Sequence, residues 1–164
     1  MEANITHKSV EAEEGSAAVA VAVALLWTGT EPQELVLKTI EYLRESKIKD
    51  GLTRLAFYQS QKGEVSAIEA LRLFGTKAHV VQTVPSAFSA FVLTDSYEKA
   101  ICTSVRAGGD TDTTAAIAGA LAGTYYGFEA IPKQYREGLE DLFHLRRLES
   151  KINIGPKTSV LWRL

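Results

Sequence analysis

The sequence predicts an all-α domain, on three observations. Apolar residues recur at helical spacing along most of the chain, strict alternation over strand length is scarcely present, and capping or breaking residues punctuate the pattern. Its 164 residues, 46% hydrophobic and 23% charged with 4 prolines, are enough chain to bury one core. There is no repeat, no low-complexity block and no linker rich in Pro or Ser.

From Ser9 to about Trp27, the positions of Val10, Ala17, Ala18, Val21, Ala24 and Leu25 keep a helical spacing that Gly29 closes. After Gly15 this helix is apolar most of the way round, which places it in the interior. Its longest apolar run, Ser16 to Trp27, has 12 residues, against the roughly 20 that span a bilayer. Glu11, Glu13 and Glu14 stand where a signal peptide carries basic residues, so neither a membrane span nor secretion is expected. Pro32 opens a second, amphipathic helix with Leu35, Val36, Thr39, Ile40 and Leu43 on one face, running to about Ser46. A polar, Gly-containing stretch over Lys49 to Gly51 then precedes a short helix over Leu52 to Tyr58.

Ser66 and Glu69 have capping-box spacing and open a helix through Ala70, Leu71 and Phe74 that Gly75 stops. Val80 to Leu93 carries Pro85 near the start of a helical face made by Val84, Phe88, Phe91 and Val92. Thr94 or Asp95 caps a helix from Ser96 to Ala107, which Gly108 and Gly109 end. A further helix runs from about Thr111 to Tyr126 and stops at Gly127. After Pro132 a last amphipathic stretch with Tyr135, Leu139, Leu142, Phe143, Leu145 and Leu148 reaches about Lys151. The helical domain is thus expected over residues 1–152. Gly155 and Pro156 break the pattern in a tail over 153–164, whose Leu161, Trp162 and Leu164 need a surface to cover.

Lys+Arg of 18 against Asp+Glu of 20 leaves a net charge of -2, with no basic field for a phosphate backbone, so nucleic acid is not an expected partner. The single Cys102 excludes an internal disulfide and points to a reducing, cytoplasmic setting. One Cys and three His also cannot build a zinc-finger-type site.

Chemistry concentrates between Gly108 and Gly127. Two glycines allow a sharp turn, and Asp110, Thr111, Asp112 and Thr113 follow at the mouth of a helix. Mg²⁺ takes carboxylate, hydroxyl and water oxygens and needs only one or two protein carboxylates, a minimum that Asp110 and Asp112 supply. The same residues are also favoured helix caps, and the run can simply end one helix and start the next. One cap uses one side chain, whereas this turn offers four oxygen-bearing residues in a row. The helix that follows is built from Ala115, Ala116, Ala118, Gly119, Ala120, Ala122 and Gly123, so close backbone approach to its neighbours positions it, whether for a site or for packing alone.

The run G-G-D-T-D-T-T-A-A-I-A-G-A-L-A-G from Gly108 to Gly123, with Tyr126-Gly127 and Ile131-Pro132, closely resembles the signature of the ADP-ribosylglycohydrolase family, the family of the dinitrogenase reductase-activating glycohydrolase. Val84-Pro85-Ser86-Ala87 with Phe91 resembles the family's V-P-x-A helix. Ile5-Thr6-His7 with Ser9 and Gly15-Ser16 resembles its T-H segment before a buried helix. The resemblance covers about Thr6 to Leu142 and implies a site with two Mg²⁺ ions in which Asp110, Asp112 and Thr113 are metal ligands. It also implies His7, Gly108 and Gly109 as contacts of the substrate, ADP-ribose or an ADP-ribosylated protein. The implied reaction is hydrolysis of the N- or O-glycosidic bond between ribose and a protein side chain, with water as nucleophile. His79 and His144 have no motif behind them and read as structural or surface residues.

Family members are longer and carry a second acidic motif, T-D-D or similar, in their N-terminal half, together with the acidic residue assigned to the chemistry. No Asp-Asp pair occurs here. By the family's plan the chain resembles a C-terminal half, and no catalytic acid is assigned within it. Gln82 stands just before Thr83-Val84-Pro85, where some relatives have Glu, a change expected to weaken a hydrogen-bonding network nearby. Two readings follow: a half enzyme completed by an N-terminal chain, or a non-catalytic remnant that binds ADP-ribose or a partner. Loss of half a domain is expected to leave the Ala-rich helices around Ala17 to Ala24 and Ala115 to Ala122 uncovered, which self-association as a homo-oligomer would hide.

Overall fold

A computed structural model describes residues 2–61 and 66–149; the expected tail over 153–164 lies outside them. The described residues form α-helices and short 3-10 turns, with no strand among them. After a 3-10 turn at Glu2–Ile5, the helices are α1 (Val10–Trp27), α2 (Pro32–Ile40), α3 (Lys47–Ser60), α4 (Ala67–Phe74), α5 (Val80–Val92), α6 (Tyr97–Ala107), α7 (Thr111–Tyr126), α8 (Lys133–Glu137) and α9 (Leu142–Glu149).

Serine starts four of them. The Oγ atoms of Ser9, Ser46, Ser66 and Ser96 accept from the backbone N–H three residues on, at 3.1, 3.2, 3.3 and 3.2 Å. At Ser66 the Glu69 carboxylate returns the bond to the Ser66 N–H, completing the expected capping box. Such caps contribute about 1 kcal/mol each.

The helix α5 is the hub. Thr83 to Phe91 are buried on every side, and α1, α2, α3, α4, α6 and α7 all pack on it. These six touch their neighbours in the order α1, α2, α3, α4, α6, α7 and back to α1, a ring around a central helix. One cluster that includes Leu26, Leu35, Leu52, Phe88, Phe91 and Leu121 fills the space between them. Phe91 meets Tyr125 and Tyr126 edge-on, with centroids 6.0 and 6.2 Å apart.

Several boundaries differ from those expected, each for a local reason. The helix α2 ends at Ile40 instead of near Ser46: Tyr42 and Leu43 turn back to Thr39 and Ile40, and the Arg44 N–H leaves the helix axis for the Glu14 carboxylate at 2.8 Å. The polar stretch before Leu52 is helical, because Ser46 caps α3 from Lys47 onward. Gly51 then sits inside that helix where a Cβ would come 2.6 Å from the Pro85 ring of α5. Ser96 itself, rather than Thr94 or Asp95, caps α6. The final amphipathic stretch is split into α8 and α9 by a break at Gly138 to Asp141, where Asp141 has a φ of 56°.

The helix α1 is not interior all round. Gly15, Ala18, Ala22 and Leu26 are buried, while Ser16, Ala20 and Ala24 on the opposite side are exposed. No helix among the described residues is long and apolar enough to cross a membrane.

Among the described residues Glu14 is the one acidic side chain in the buried set. Its Oε1 accepts from Arg44 Nε at 2.6 Å and its Oε2 from the Arg44 backbone N–H, fastening the end of the α2 segment to α1. Glu13 accepts from the other end of the same guanidinium, which holds its carboxyl below the usual carboxylate range. We expect Glu14→Ala to cost about 1–3 kcal/mol, because it leaves a backbone N–H without its acceptor in a partly buried place. Thermal denaturation of the variant checks this.

Candidate metal centre

The α6–α7 turn is fixed before any side chain takes part. Gly108 and Gly109 both have a φ of 78°. At Gly109 glycine is required twice over, because a Cβ there would stand 2.0 Å from the Thr76 carbonyl oxygen. That close approach lets the Asp110 N–H donate to the Thr76 oxygen at 2.6 Å, so the connection after α4 holds the turn from behind.

Asp110 occupies the N-cap position of α7, but its side chain makes no capping bond. Its Oδ1 instead accepts from the Thr113 hydroxyl at 2.9 Å. The contrast with the four serine caps bears on the two readings of this turn, since the Asp110 carboxylate is not spent on the helix end. Asp112 lies one residue into the first turn and is exposed. A hydrogen bond shared with the Asp110 carboxyl holds the Asp112 carboxyl below the usual carboxylate range, helped by the backbone N–H groups of Thr113 and Asp112. Both carboxyl groups stand at the positive end of a helix dipole.

Asp110, Asp112 and the Thr113 hydroxyl thus gather at one partly exposed point. Among the described residues no three carboxylate, imidazole or thiol groups converge. The donor set is two carboxylates and a hydroxyl, all oxygen, with the rest of a coordination sphere left to water or substrate. Those donors fit Mg²⁺ and do not resemble a zinc site.

His7 lies elsewhere, in the turn before α1, exposed, with Nδ1 2.9 Å from the Thr6 hydroxyl. It lines a cleft of about 700 Å³ together with Thr6, Ser9, Ser16, Lys47 and His79. Asp110, Asp112 and Thr113 are not among the cleft's lining residues. One segment adjoins both places: the connection from Gly75 to His79 meets the aspartate turn at Thr76 and the cleft at Ala78 and His79. Gln82 braces that connection, its Oε1 accepting from the Lys77 N–H at 3.0 Å. A carboxylate could accept that bond equally, so this contact gives no sign of the weakening expected at Gln82.

Two cleft residues escaped the sequence reading. His79 accepts a 3.4 Å bond from the Val81 N–H at the start of α5, and Lys47 opens α3. Neither sits in a motif, and only the ring of helices brings them beside His7. His144 lies on α9, with Nδ1 3.2 Å from an Arg147 nitrogen and outside the cleft lining.

A family model described as ADP-ribosylglycohydrolase matches residues 1–158, a longer stretch than the motifs alone cover. An uncharacterized protein of Archaeoglobus fulgidus is 33% identical over 156 residues, which is 92% of this chain and 48% of that protein. The ADP-ribosyl-[dinitrogen reductase] glycohydrolase of Rhodospirillum rubrum is 35% identical over 65 residues, 40% of this chain and 22% of the enzyme. Human ADP-ribosylhydrolase ARH3 is 40% identical over 57 residues, 35% of this chain and 14% of the human protein. The chain thus spans about half the length of the Archaeoglobus relative, and its matches to the other two are shorter.

Proposed function

The chain belongs to the ADP-ribosylglycohydrolase family, and we propose that it supplies one half of a Mg²⁺-dependent site that hydrolyses the bond between ADP-ribose and a protein side chain. The observation that carries this reading is the Asp110 carboxylate, which makes no capping bond and accepts from the Thr113 hydroxyl beside Asp112, on a turn whose backbone is locked against Thr76. The names of the Rhodospirillum and human relatives support the reaction class.

In this reading Asp110, Asp112 and Thr113 hold magnesium. When bound, the metal would orient the ribose and stabilise charge that develops at the scissile bond. The chain's own contribution is pre-organisation. The glycine turn and the Asp110–Thr76 bond fix the carboxylates before substrate arrives, so little rearrangement is left for the reaction. In the cleft Lys47 brings positive charge that Glu11 of the same lining offsets, and His7 and His79 add ring N–H groups that would meet the pyrophosphate of ADP-ribose. In the hydrolysis, water adds its oxygen to ribose C1 and its proton goes to the departing side chain.

A second reading is a module that binds ADP-ribose without cleaving it, as a homo-oligomer or with a partner. It is favoured by the count of two carboxylates at the turn, with no third acidic, imidazole or thiol group converging among the described residues. The first reading requires metal-linked binding at the turn. Calorimetric titration of the chain with ADP-ribose should give binding that strengthens when Mg²⁺ is present and weakens with a chelator. Affinity indifferent to Mg²⁺ would remove the metal from the account.

A further inference from the structure

Three side chains on the first two turns of α5 grip the connection that joins α4 to α5. The Ser86 Oγ donates to the Gly75 carbonyl at 2.7 Å, and the Thr83 Oγ1 donates to the carbonyls of His79 and Lys77 at 3.1 and 3.4 Å. Gln82 grips the connection from its donor side, where its Oε1 accepts from the Lys77 N–H at 3.0 Å. The same side chain lies against Gly75, where a Cβ would come 2.5 Å from that oxygen.

The Gln82 contact differs from the other two in what it holds. The Lys77 N–H and the Thr76 carbonyl are the two ends of one peptide unit, which is planar, so a bond at one end sets the direction of the other. The Thr76 carbonyl is the acceptor of the 2.6 Å bond from the Asp110 N–H. Gln82, the 76–77 peptide and the Asp110 N–H therefore form one run of hydrogen bonds from α5 to the metal turn. Each bond polarises the next and depends on its alignment. Lys77 is exposed, so without Gln82 its N–H would turn to solvent. Water satisfies that donor but leaves the peptide free to tilt.

We infer that Gln82 is a positioning residue for the metal turn: through the 76–77 peptide it aims the Thr76 carbonyl at the Asp110 N–H, and so sets where Asp110 and Asp112 present their carboxylates. This rests on the reading that the turn holds magnesium, and it adds the α5 side chain on which the geometry of the turn depends. What the position needs is a strong acceptor at that reach. Gln and Glu both carry one, whereas Met has the same length and only a weak one.

The test compares Gln82→Met with wild type in the full chain. Amide hydrogen exchange read by NMR on the metal-free chain should be about tenfold faster at Asp110, with the Phe88 amide in the middle of α5 unchanged. A Mg²⁺ titration followed at the Asp110 and Asp112 amides should give a dissociation constant raised about tenfold, the lower end of the range for residues that orient metal ligands. Melting should shift by no more than about 4 °C, since one hydrogen bond from an exposed donor is lost. Gln82→Glu should keep the wild-type exchange rate at Asp110 and bind Mg²⁺ no more weakly than wild type. Gln59→Met removes a different Gln bond, from Nε2 to the Pro32 carbonyl, and should leave both readings unchanged. If Met is not accommodated against Gly75, Gln82→Ala carries the same test, because Ala suits a helix interior. Wild-type exchange at Asp110 in the acceptor-free variant overturns the inference, as does a Gln82→Glu chain that behaves like it. Faster exchange with unchanged Mg²⁺ affinity overturns it too, because the bond would then brace the backbone without placing the ligands. A wild-type chain whose Asp110 and Asp112 amides do not respond to Mg²⁺ counts against the metal reading, while the exchange comparison still decides whether Gln82 aims the turn.

Discussion

Asp110→Asn and Asp112→Asn are each expected to abolish Mg²⁺-dependent binding and hydrolysis while leaving the fold intact. The amide keeps the size of the carboxylate and its acceptor oxygen, and Asn is as good an N-cap as Asp. The Asp110 bond that this change perturbs is the one from the Thr113 hydroxyl at the surface, not a core contact. Loss of one negative charge is decisive for a hard divalent cation with two carboxylates to draw on. Removing residues that merely support a metal ligand lowers affinity by roughly 10–100-fold, so removal of a ligand should exceed that range. Calorimetry with Mg²⁺ reads the binding and thermal denaturation reads the fold. A variant that melts like wild type and still binds Mg²⁺ with wild-type affinity would contradict the assignment.

Gly109→Ala should damage both stability and site. The new Cβ would meet the Thr76 carbonyl at 2.0 Å, and backbone cannot yield as a flexible side chain can. Its φ of 78° adds the strain of a left-handed conformation. Together we expect a loss of about 2–4 kcal/mol. The turn must move away from Thr76, which breaks the 2.6 Å bond of the Asp110 N–H and displaces both carboxylates. Gly108→Ala is the informative control: it has the same φ of 78° but nothing within 4 Å of its Cβ. It should carry only the conformational cost, about 1–3 kcal/mol for a φ of 78° with a ψ of −175°, a region essentially confined to glycine. Comparable melting temperatures for the two variants would show that the contact with Thr76 does not hold the turn.

Much of the fold was legible because local chemistry decides it. The α7 limits, Thr111 and Tyr126, agree with the expectation because glycines bound the helix on both sides, and the Ser66–Glu69 box appears as spaced. Where the reading slipped, a tertiary contact had overruled local preference. Gly51 resembles a loop residue until Pro85 of α5 is seen against it, and the α2 segment looks helical to Ser46 until Glu14, thirty residues earlier, captures Arg44. The apolar surround of α1 reads as burial, but small residues on every side of a helix do not say which side faces the core, and Ser16, Ala20 and Ala24 are exposed.

The candidate site divides in the same way. Asp110, Asp112 and Thr113 are consecutive enough for sequence to gather them, and the structure adds that Asp110 is not capping its helix. The cleft was hardly legible: His7, Lys47 and His79 come from three separate segments, and only the packing around α5 makes them neighbours.

The central claim is that the Asp110–Thr113 turn forms half of an ADP-ribosyl hydrolase site. It is tested most directly by ADP-ribose release from an ADP-ribosylated protein, using the chain co-expressed with the remainder of the Archaeoglobus relative. The account predicts release that requires Mg²⁺ and disappears with Asp110→Asn or Asp112→Asn. Release at an undiminished rate by those variants, or in the presence of a chelator, would contradict it.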